Sequence, residues 1–492
     1  MQRIESTPGE TESGGRGCGG LPRHRLPLDI RRRLVLDGCC ALGGRALAKS
    51  SLELEPAAAE PLAHPSRPLS PYERHWHLLH RHGVMVISVA VRIRGRLGPD
   101  LLRKALAAVQ RRHPLLRAHI PATRELRFEW RGTTGIPVEV IPRKDERHWH
   151  RVMEETLHHP IPPGPHPRLR VQLLQPAQGD LCELVAGWDH ALGDASSVVT
   201  FARDLLEAAA AIAARRPLRP NWELPRPPPL DAVLPVASEH RPRGVAGVRL
   251  LLARLAGSRF PHAFAESRPS HRRTAICNLA LSPAAAFRML ERCRAERTTV
   301  HGLFAAATLG AARALGVPSG VSCSSTVDLR SACKPPVSPE AILAGVGMVV
   351  VDCPIEEPFD LWELARLYRA RTREAVERGE AAELVNLRLN RLQEAFALRL
   401  LPRLRAGRVT GVSLANAGRA ERPRFPGFEL LELYAATSQH VLGNFLSVSF
   451  FTVGEASCLS FEWVEPLIDR KQGERWAHQT RATLEAAAAG KL

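Results

Sequence analysis

The sequence predicts an α/β fold with a sheet in each half, on three observations. Strand-like and helix-like segments alternate from about Leu69 to the end of the chain. A Pro-rich stretch at 215–245 interrupts that alternation once, where missing N–H groups and a fixed φ disfavour helix and central strand alike. Composition suits a chain that buries a core: 492 residues, 45% hydrophobic and 24% charged. No run of apolar residues is long enough to span a membrane. The opening MQRIESTPGETESGG has no apolar stretch of the kind that directs secretion.

The elements follow in order. Residues 1–66 are Gly/Ser/Glu-rich and then Ala/Pro-rich, without helical or strand period, and are expected to be a disordered extension. The N-terminal lobe is assigned to 67–215. LSPYERHWHLLH is a short helix, and Gly83–Gly95 is a strand that ends in the alternation Val89, Val91, Ile93. Pro99 and Asp100 open a helix that His113-Pro114 stops. Strands are expected near 125–130, at 169–175 and at 181–188, then a helix over 198–214 behind Ser196 and Ser197. Residues 216–245 are the crossover between lobes, and 246–492 the C-terminal lobe. That lobe carries helices near 283–295, 300–315, 361–379, 383–400 and 472–488. Strands fall in SGVSCSSTVDLR and GVGMVVVDC and at 408–414, 429–436, 444–453 and 457–463.

The charge is strongly basic, 68 Lys+Arg against 50 Asp+Glu; only six of the cations are Lys, so 62 are Arg. A basic surface suits nucleic acid, an acidic carrier protein or a phosphorylated co-substrate. Nucleic acid rests on net charge alone, since no helix-turn-helix, zinc finger or aromatic-basic RNA motif supports it. The arginines form no long tract, so a solvated surface explains most of them. The ten cysteines include no C-x-x-C pair and no zinc pattern, which in a chain this long points to reduced thiols and a cytoplasmic protein. Cys182, on the strand before His190, reads as a core thiol.

The segment that carries chemistry is WDHALGDASSVV, Trp188 to Val199. A buried strand delivers His190 to its C-terminal end, and imidazole is the side chain whose pKa suits proton removal near neutrality. Asp194 follows four residues later, directly before a helix. It stands too close in sequence to serve by default as a triad-type orienting acid, and can instead turn back onto an Arg. Among 20 histidines about one His-x-x-x-Asp is expected by chance. Two other groups of histidines read as non-functional. His75, His77, His80 and His82 share a helix-like stretch without a metal-binding partner, and His148, His150, His158 and His159 fall in a polar, charged, surface-like region.

Context comes from a resemblance. The chain from about Leu69 to Leu484 resembles the superfamily of CoA- and carrier-dependent acyltransferases, which includes condensation domains, chloramphenicol acetyltransferase and alcohol O-acetyltransferases. The family hallmark HHxxxDG reads here Asp189-His190-Ala191-Leu192-Gly193-Asp194-Ala195. Flanking text agrees: RIRGRLGPDLLRKALAAVQRRHPLLRAHI is similar to the opening strand and helix of condensation-type members. RTTVHGLFAAATLGAARAL and STVDLRSAC resemble the start of their second half. The departures are Asp189 for the first His, Ala195 for the Gly, and the absence of a DFGWG element. An extra methyl at 195 matters only where φ is positive or the backbone is approached closely. No carrier or adenylation segment is attached, so the chain is expected to act alone.

The resemblance implies two similar chloramphenicol-acetyltransferase-like lobes, each a mixed sheet with helices, and a tunnel between them. It implies His190 as general base on an alcohol or amine, Asp194 as a structural residue, and Arg330 as the partner of Asp194. No cofactor is bound; the co-substrate is an acyl-CoA or acyl-carrier thioester, and a carrier protein is a possible partner. Ser447 and Ser449 are candidate oxyanion donors. Asn416-Ala417-Gly418 resembles the SNxG turn of alcohol acetyltransferases, with Ala415 in place of Ser, and a plain turn explains it as well. The alternative reading is a catalytically degenerate domain that binds a carrier or partner.

Overall fold

The computed structural model describes residues 66–492 apart from 177, 236–266, 356–357 and 421–422. The expected disordered extension, the later part of the Pro-rich crossover, and Cys18, Cys39 and Cys40 therefore lie outside the described residues.

The chain builds two six-stranded mixed sheets. In the N-terminal half the strands are β1 (Ser66–Pro68), β2 (Val86–Arg94), β3 (Arg127–Glu129), β4 (Val138–Pro142), β5 (Leu169–Gln175) and β6 (Leu181–Asp189). The helices are α1 (Pro71–Arg81), α2 (Pro99–Arg112), α3 (His148–Thr156) and α4 (Ala195–Ala213). In the second half come β7 (Arg273–Leu281), α5 (Pro283–Ala295), α6 (Val300–Ala312), β8 (Val321–Asp328), β9 (Val346–Cys353), α7 (Leu361–Glu377) and α8 (Arg391–Leu400). Then β10 (Arg408–Ala420), β11 (Arg424–Phe425), β12 (Phe428–Thr437), β13 (Gly443–Val453), β14 (Ala456–Glu465) and α9 (Arg470–Ala488) complete the chain. No helix among the described residues is long and apolar enough to cross a membrane.

The first sheet runs β11-β12-β2-β6-β5-β4 and the second β7-β14-β13-β10-β8-β9. The sheets do not divide the chain where the Pro-rich stretch does. β12, from the far half, pairs antiparallel with β2, Leu433 opposite Val91, and so becomes part of the N-terminal sheet. The two lobes are thereby tied by backbone hydrogen bonds.

β6 lies inside its sheet, buried from Cys182 to Asp189, because both faces are covered. Side chains alternate between the two faces of a strand. Val89, Val91, Ile93, Leu184, Ala186 and Trp188 therefore belong to one core cluster with α2 and α4, and Ala90 and Val185 to another with Trp149 and Met153 of α3. That second cluster corrects the surface reading of the region around His148. The segment folds as a helix with Trp149, Met153 and Leu157 inward, and His148 itself is buried. The single helix expected over 383–400 is broken. Asn390 caps a new helix, its side chain accepting from Gln393 N while Gln393 returns the bond.

Candidate active site

His190 follows the last residue of β6, and its position is built from three directions. From below, Asp189 is fully buried, and its Oδ2 accepts from Arg168 Nε at 3.1 Å, Arg168 Nη2 at 3.0 Å and His77 Nδ1 at 2.8 Å. Its Oδ1 accepts from Ala191 N at 3.0 Å, which holds the turn that carries His190. Burial by itself would raise the Asp189 carboxyl. The neighbouring His80, Arg168 and His77 outweigh it and hold the group well below the usual carboxylate range. The residue that departs from the hallmark is thus an internal anion with its own buried cation.

From one side, Trp76 stacks on the His190 ring, centroids 4.1 Å apart and planes 13° from parallel. Trp76 is placed by α1, whose start is closed by Ser70 and Glu73 in a reciprocal cap with Pro71 in the first turn. His77 and His80 are on the same helix. His80 Nε2 accepts from Ile161 N at 2.8 Å, so both serve as internal hydrogen-bonding groups.

From the third direction comes Asp194, the N-cap of α4. Its carboxylate accepts from Arg330 Nη1 and Nη2, each at 2.9 Å, in a two-pronged pair. Gly345 N at 2.8 Å, Ser197 N at 3.0 Å and Ser197 Oγ at 3.0 Å complete its shell. Burial would raise this carboxyl as well; Arg330 and the backbone donors bring it below its usual value. A Cβ at Gly345 would stand 2.6 Å from Arg330 Nη1, so only glycine admits the guanidinium there. Ala195 begins α4 outside the set of positive-φ residues, so its methyl is accommodated.

The His190 ring forms part of the wall of a cavity of about 590 Å³. The wall is mostly aliphatic, with Leu79, Met85, Met348, Val350, Leu398 and Leu442 among its residues. It draws on α1 and the approach to β2 from the first half, and on β8, β9, β10 and α8 from the second. Ser322, Thr326, Thr410, Ser413 and Asn444 supply its neutral polar points together with His75, and Asp352 and Glu394 its carboxylates. His190 is 7% exposed and its Nδ1 has no hydrogen-bond partner. Burial lowers its pKa from the usual 6.5, against opposing pulls from Asp194, its own backbone and Asp189. The imidazole is therefore held in its neutral, proton-accepting form at neutral pH.

Arg330 and Asp194, 136 residues apart, are brought together. Ser447 and Ser449 are not among the cavity-lining residues: Ser447 Oγ accepts from Asn444 Nδ2 at 3.1 Å and Ser449 Oγ donates to Glu462 at 3.2 Å. Asn416 is likewise outside the wall; its Oδ1 accepts from Gly418 N at 2.7 Å, where Gly418 has φ +76° and β10 bulges. The polar points of the wall went unread because single Ser, Thr and Asn residues on strands carry no sequence signal. Trp76 had one, an aromatic within a capped helix that opens the matching region. Cys182 is buried with its thiol pushed up to about 11. Among the described residues no group of three or more His, Cys, Asp or Glu is disposed to hold a metal ion.

Solved structures with this architecture include polyketide synthase associated protein 5 from Mycobacterium tuberculosis, at 17% identity over 87% of this chain and 99% of that one, TM-score 0.61. Trichothecene 15-O-acetyltransferase from Fusarium sporotrichioides matches at 13% identity over 86% and 95%, TM-score 0.65. The condensation domain of the monacolin K polyketide synthase matches at 16% over 86% and 97%, TM-score 0.60. No curated protein matches the chain in sequence. These likenesses, at 13–17% identity, show a shared fold of two mixed-sheet lobes with helices. Residues 270–439, about a third of the chain, match the family described as phthiocerol/phthiodiolone dimycocerosyl transferase C-terminus.

Proposed function

We propose that the chain transfers an acyl group from a thioester, carried by CoA or by a carrier protein, to an alcohol or amine, with His190 as general base. The observation that carries this reading is the buried imidazole of His190 in the wall of an apolar cavity built from both halves of the chain. His190 Nε2, the ring nitrogen not enclosed, takes the proton of the acceptor O–H or N–H. The acceptor attacks the thioester carbonyl, a C–O or C–N bond forms, and negative charge collects on the carbonyl oxygen. The C–S bond then breaks, and the leaving thiolate takes the proton back from the imidazolium. No covalent bond to the protein is required. Asp194 and Arg330 hold the turn between β6 and α4 and do not exchange protons. Ser322, Thr326, Thr410, Ser413 and Asn444 are the candidate donors to the oxyanion.

The aliphatic wall suits an apolar acyl chain or acceptor. The matched family is named for a dimycocerosyl transfer and one fold relative for an acetyl transfer, and both names support the reaction class.

Thiol release by the purified chain, given acyl-CoAs or acyl-carrier proteins with mixed alcohols and amines, tests the reading. Acceptor-dependent release should fall by roughly 10² to 10⁴ in His190→Ala. Equal release in both proteins, or none with either donor, would leave the second reading: a domain that binds a carrier without catalysis. The departure at Asp189 is the feature that favours it.

A further inference from the structure

The helix α8 has two faces with different surroundings. Glu394, Ala397 and Leu398, with Leu401 just beyond it, line the cavity. At 100° per residue, Leu392, Ala395, Phe396 and Arg399 fall on the opposite side. That side is bare: Leu392 is 82% exposed and Phe396 60%, and Leu404 in the following turn is 40% exposed. Only eight large hydrophobic side chains are exposed among the described residues, and these three share thirteen positions. Such clustering marks an interaction surface, whereas single exposed leucines do not.

The charge of the same span has one sign. Arg391, Arg399, Arg403 and Arg405 are all exposed. The one carboxylate between 390 and 407, Glu394, faces inward and pairs with Arg74. Arg391, Arg399 and Arg403 have no ion pair among the described residues. No exposed Ser, Thr, Asn or Gln lies on the outer face, so its polar groups are guanidinium groups, which pair with phosphate. Bare Leu and Phe beside arginines suit the boundary between headgroups and acyl chains, where apolar side chains enter and guanidinium groups meet phosphate.

We propose that α8 and the turn after it dock the protein on an anionic lipid bilayer. Leu392, Phe396 and Leu404 enter the interface, and Arg391, Arg399, Arg403 and Arg405 contact the headgroups. The cavity lies directly behind the docked helix, so a lipid-soluble molecule has a short path from the bilayer to the neighbourhood of His190. The inference goes beyond the acyl-transfer reading and does not depend on it, since vesicle binding needs no reaction.

The test is co-sedimentation of the full chain with phosphatidylcholine vesicles, with and without phosphatidylglycerol. Net charge alone will draw so basic a chain toward anionic lipid, so the decisive variant leaves the charge unchanged. Leu392→Ser with Phe396→Ser should reduce partition onto phosphatidylglycerol vesicles about tenfold or more, with an unchanged melting curve because both side chains are exposed. Arg399→Ala with Arg403→Ala should reduce it by a similar factor and flatten its salt dependence. Binding by the Leu392/Phe396 variant equal to wild type would overturn the proposal. So would a wild-type chain that ignores both vesicles yet is retained by an acidic carrier protein.

Discussion

Replacing Arg330 by Met tests the architecture beneath the candidate base. Arg330 and Asp194 are buried, with side chains 3% and 6% exposed, so solvent screening does little to weaken the pair. Met removes both prongs of the 2.9 Å pair and the bonds from Arg330 Nη2 to Ser197 Oγ and Leu343 O, each 3.1 Å. Asp194 keeps only Ser197 and the Gly345 N–H, and becomes a buried anion without a counter-charge. Loss of one member of such a pair costs about 3–5 kcal/mol. Asp194→Asn should cost less, because the guanidinium keeps the half-exposed Asp328 carboxylate at 3.2 Å as a counter-charge. The double variant Arg330→Met/Asp194→Asn removes the unpaired Asp194 anion, so its cost should fall short of the sum by about 1–3 kcal/mol. Urea unfolding of the four proteins at pH 7 measures that coupling.

The sign of the pH effect gives an independent check. In the wild type Asp194 is held below its usual 3.8, so it contributes stability at neutral pH that is lost as pH falls through that lowered value. In Arg330→Met only the Ser197 and Gly345 donors oppose burial, so the carboxyl rises, acidification neutralises it more readily and the deficit narrows. Additive single costs, or a deficit that stays constant from pH 7 to pH 5, would refute the reasoning.

Three further outcomes follow from the geometry. Trp76→Leu removes the ring stacked on His190 and should lower kcat/KM roughly tenfold to a hundredfold through misplacement of the base; an unchanged value would mean that the stack positions nothing. Because burial lowers the His190 pKa, the acid limb of the kcat/KM profile should inflect below 6.5, and a limb above 6.5 would assign the titration to another group. Burial pushes the Glu462 carboxyl up to about 7, against hydrogen bonds from Thr437, Gln439 and Ser449. Between its usual 4.5 and about 7 the folded chain keeps a proton that the unfolded chain has released, so stability falls as pH rises through that window. Glu462→Gln should remove that slope, which amounts to at most about 3 kcal/mol; urea midpoints that stay as pH-dependent as in wild type would count against it.

The legible parts of this protein are those whose information is local. The strand Leu169–Gln175 and the helix that Pro99 opens stand where alternation and a Pro in the first turn place them. The short His-x-x-x-Asp segment spans the turn between β6 and α4, and its spacing is legible in the sequence. The helix at His148–Thr156 was masked by the charged residues that crowd its apolar stripe, Trp149, Met153 and Leu157. The break at Asn390 is hard to read because Leu, Arg, Ala, Glu and Gln dominate residues 383–400, and the cap that restarts the helix is a side-chain bond.

By itself the sequence determined the α/β class, the periodic elements, the basic charge and the strand end that carries His190. All of these rest on backbone geometry and side-chain spacing within a few turns. Only the tertiary structure decided that Asp189 is an anion clasped by Arg168 and His77, that Trp76 lies flat on His190, and that β12 crosses into the first sheet. It also put one face of α8 in the wall of an apolar cavity and left the other face bare. Those relations join segments 340 residues apart and more, such as Arg92 and Glu432, and no local pattern encodes which distant segment will meet another. Packing selects among them, because a buried charge or an uncovered apolar stripe is tolerated only where the whole fold supplies its partner.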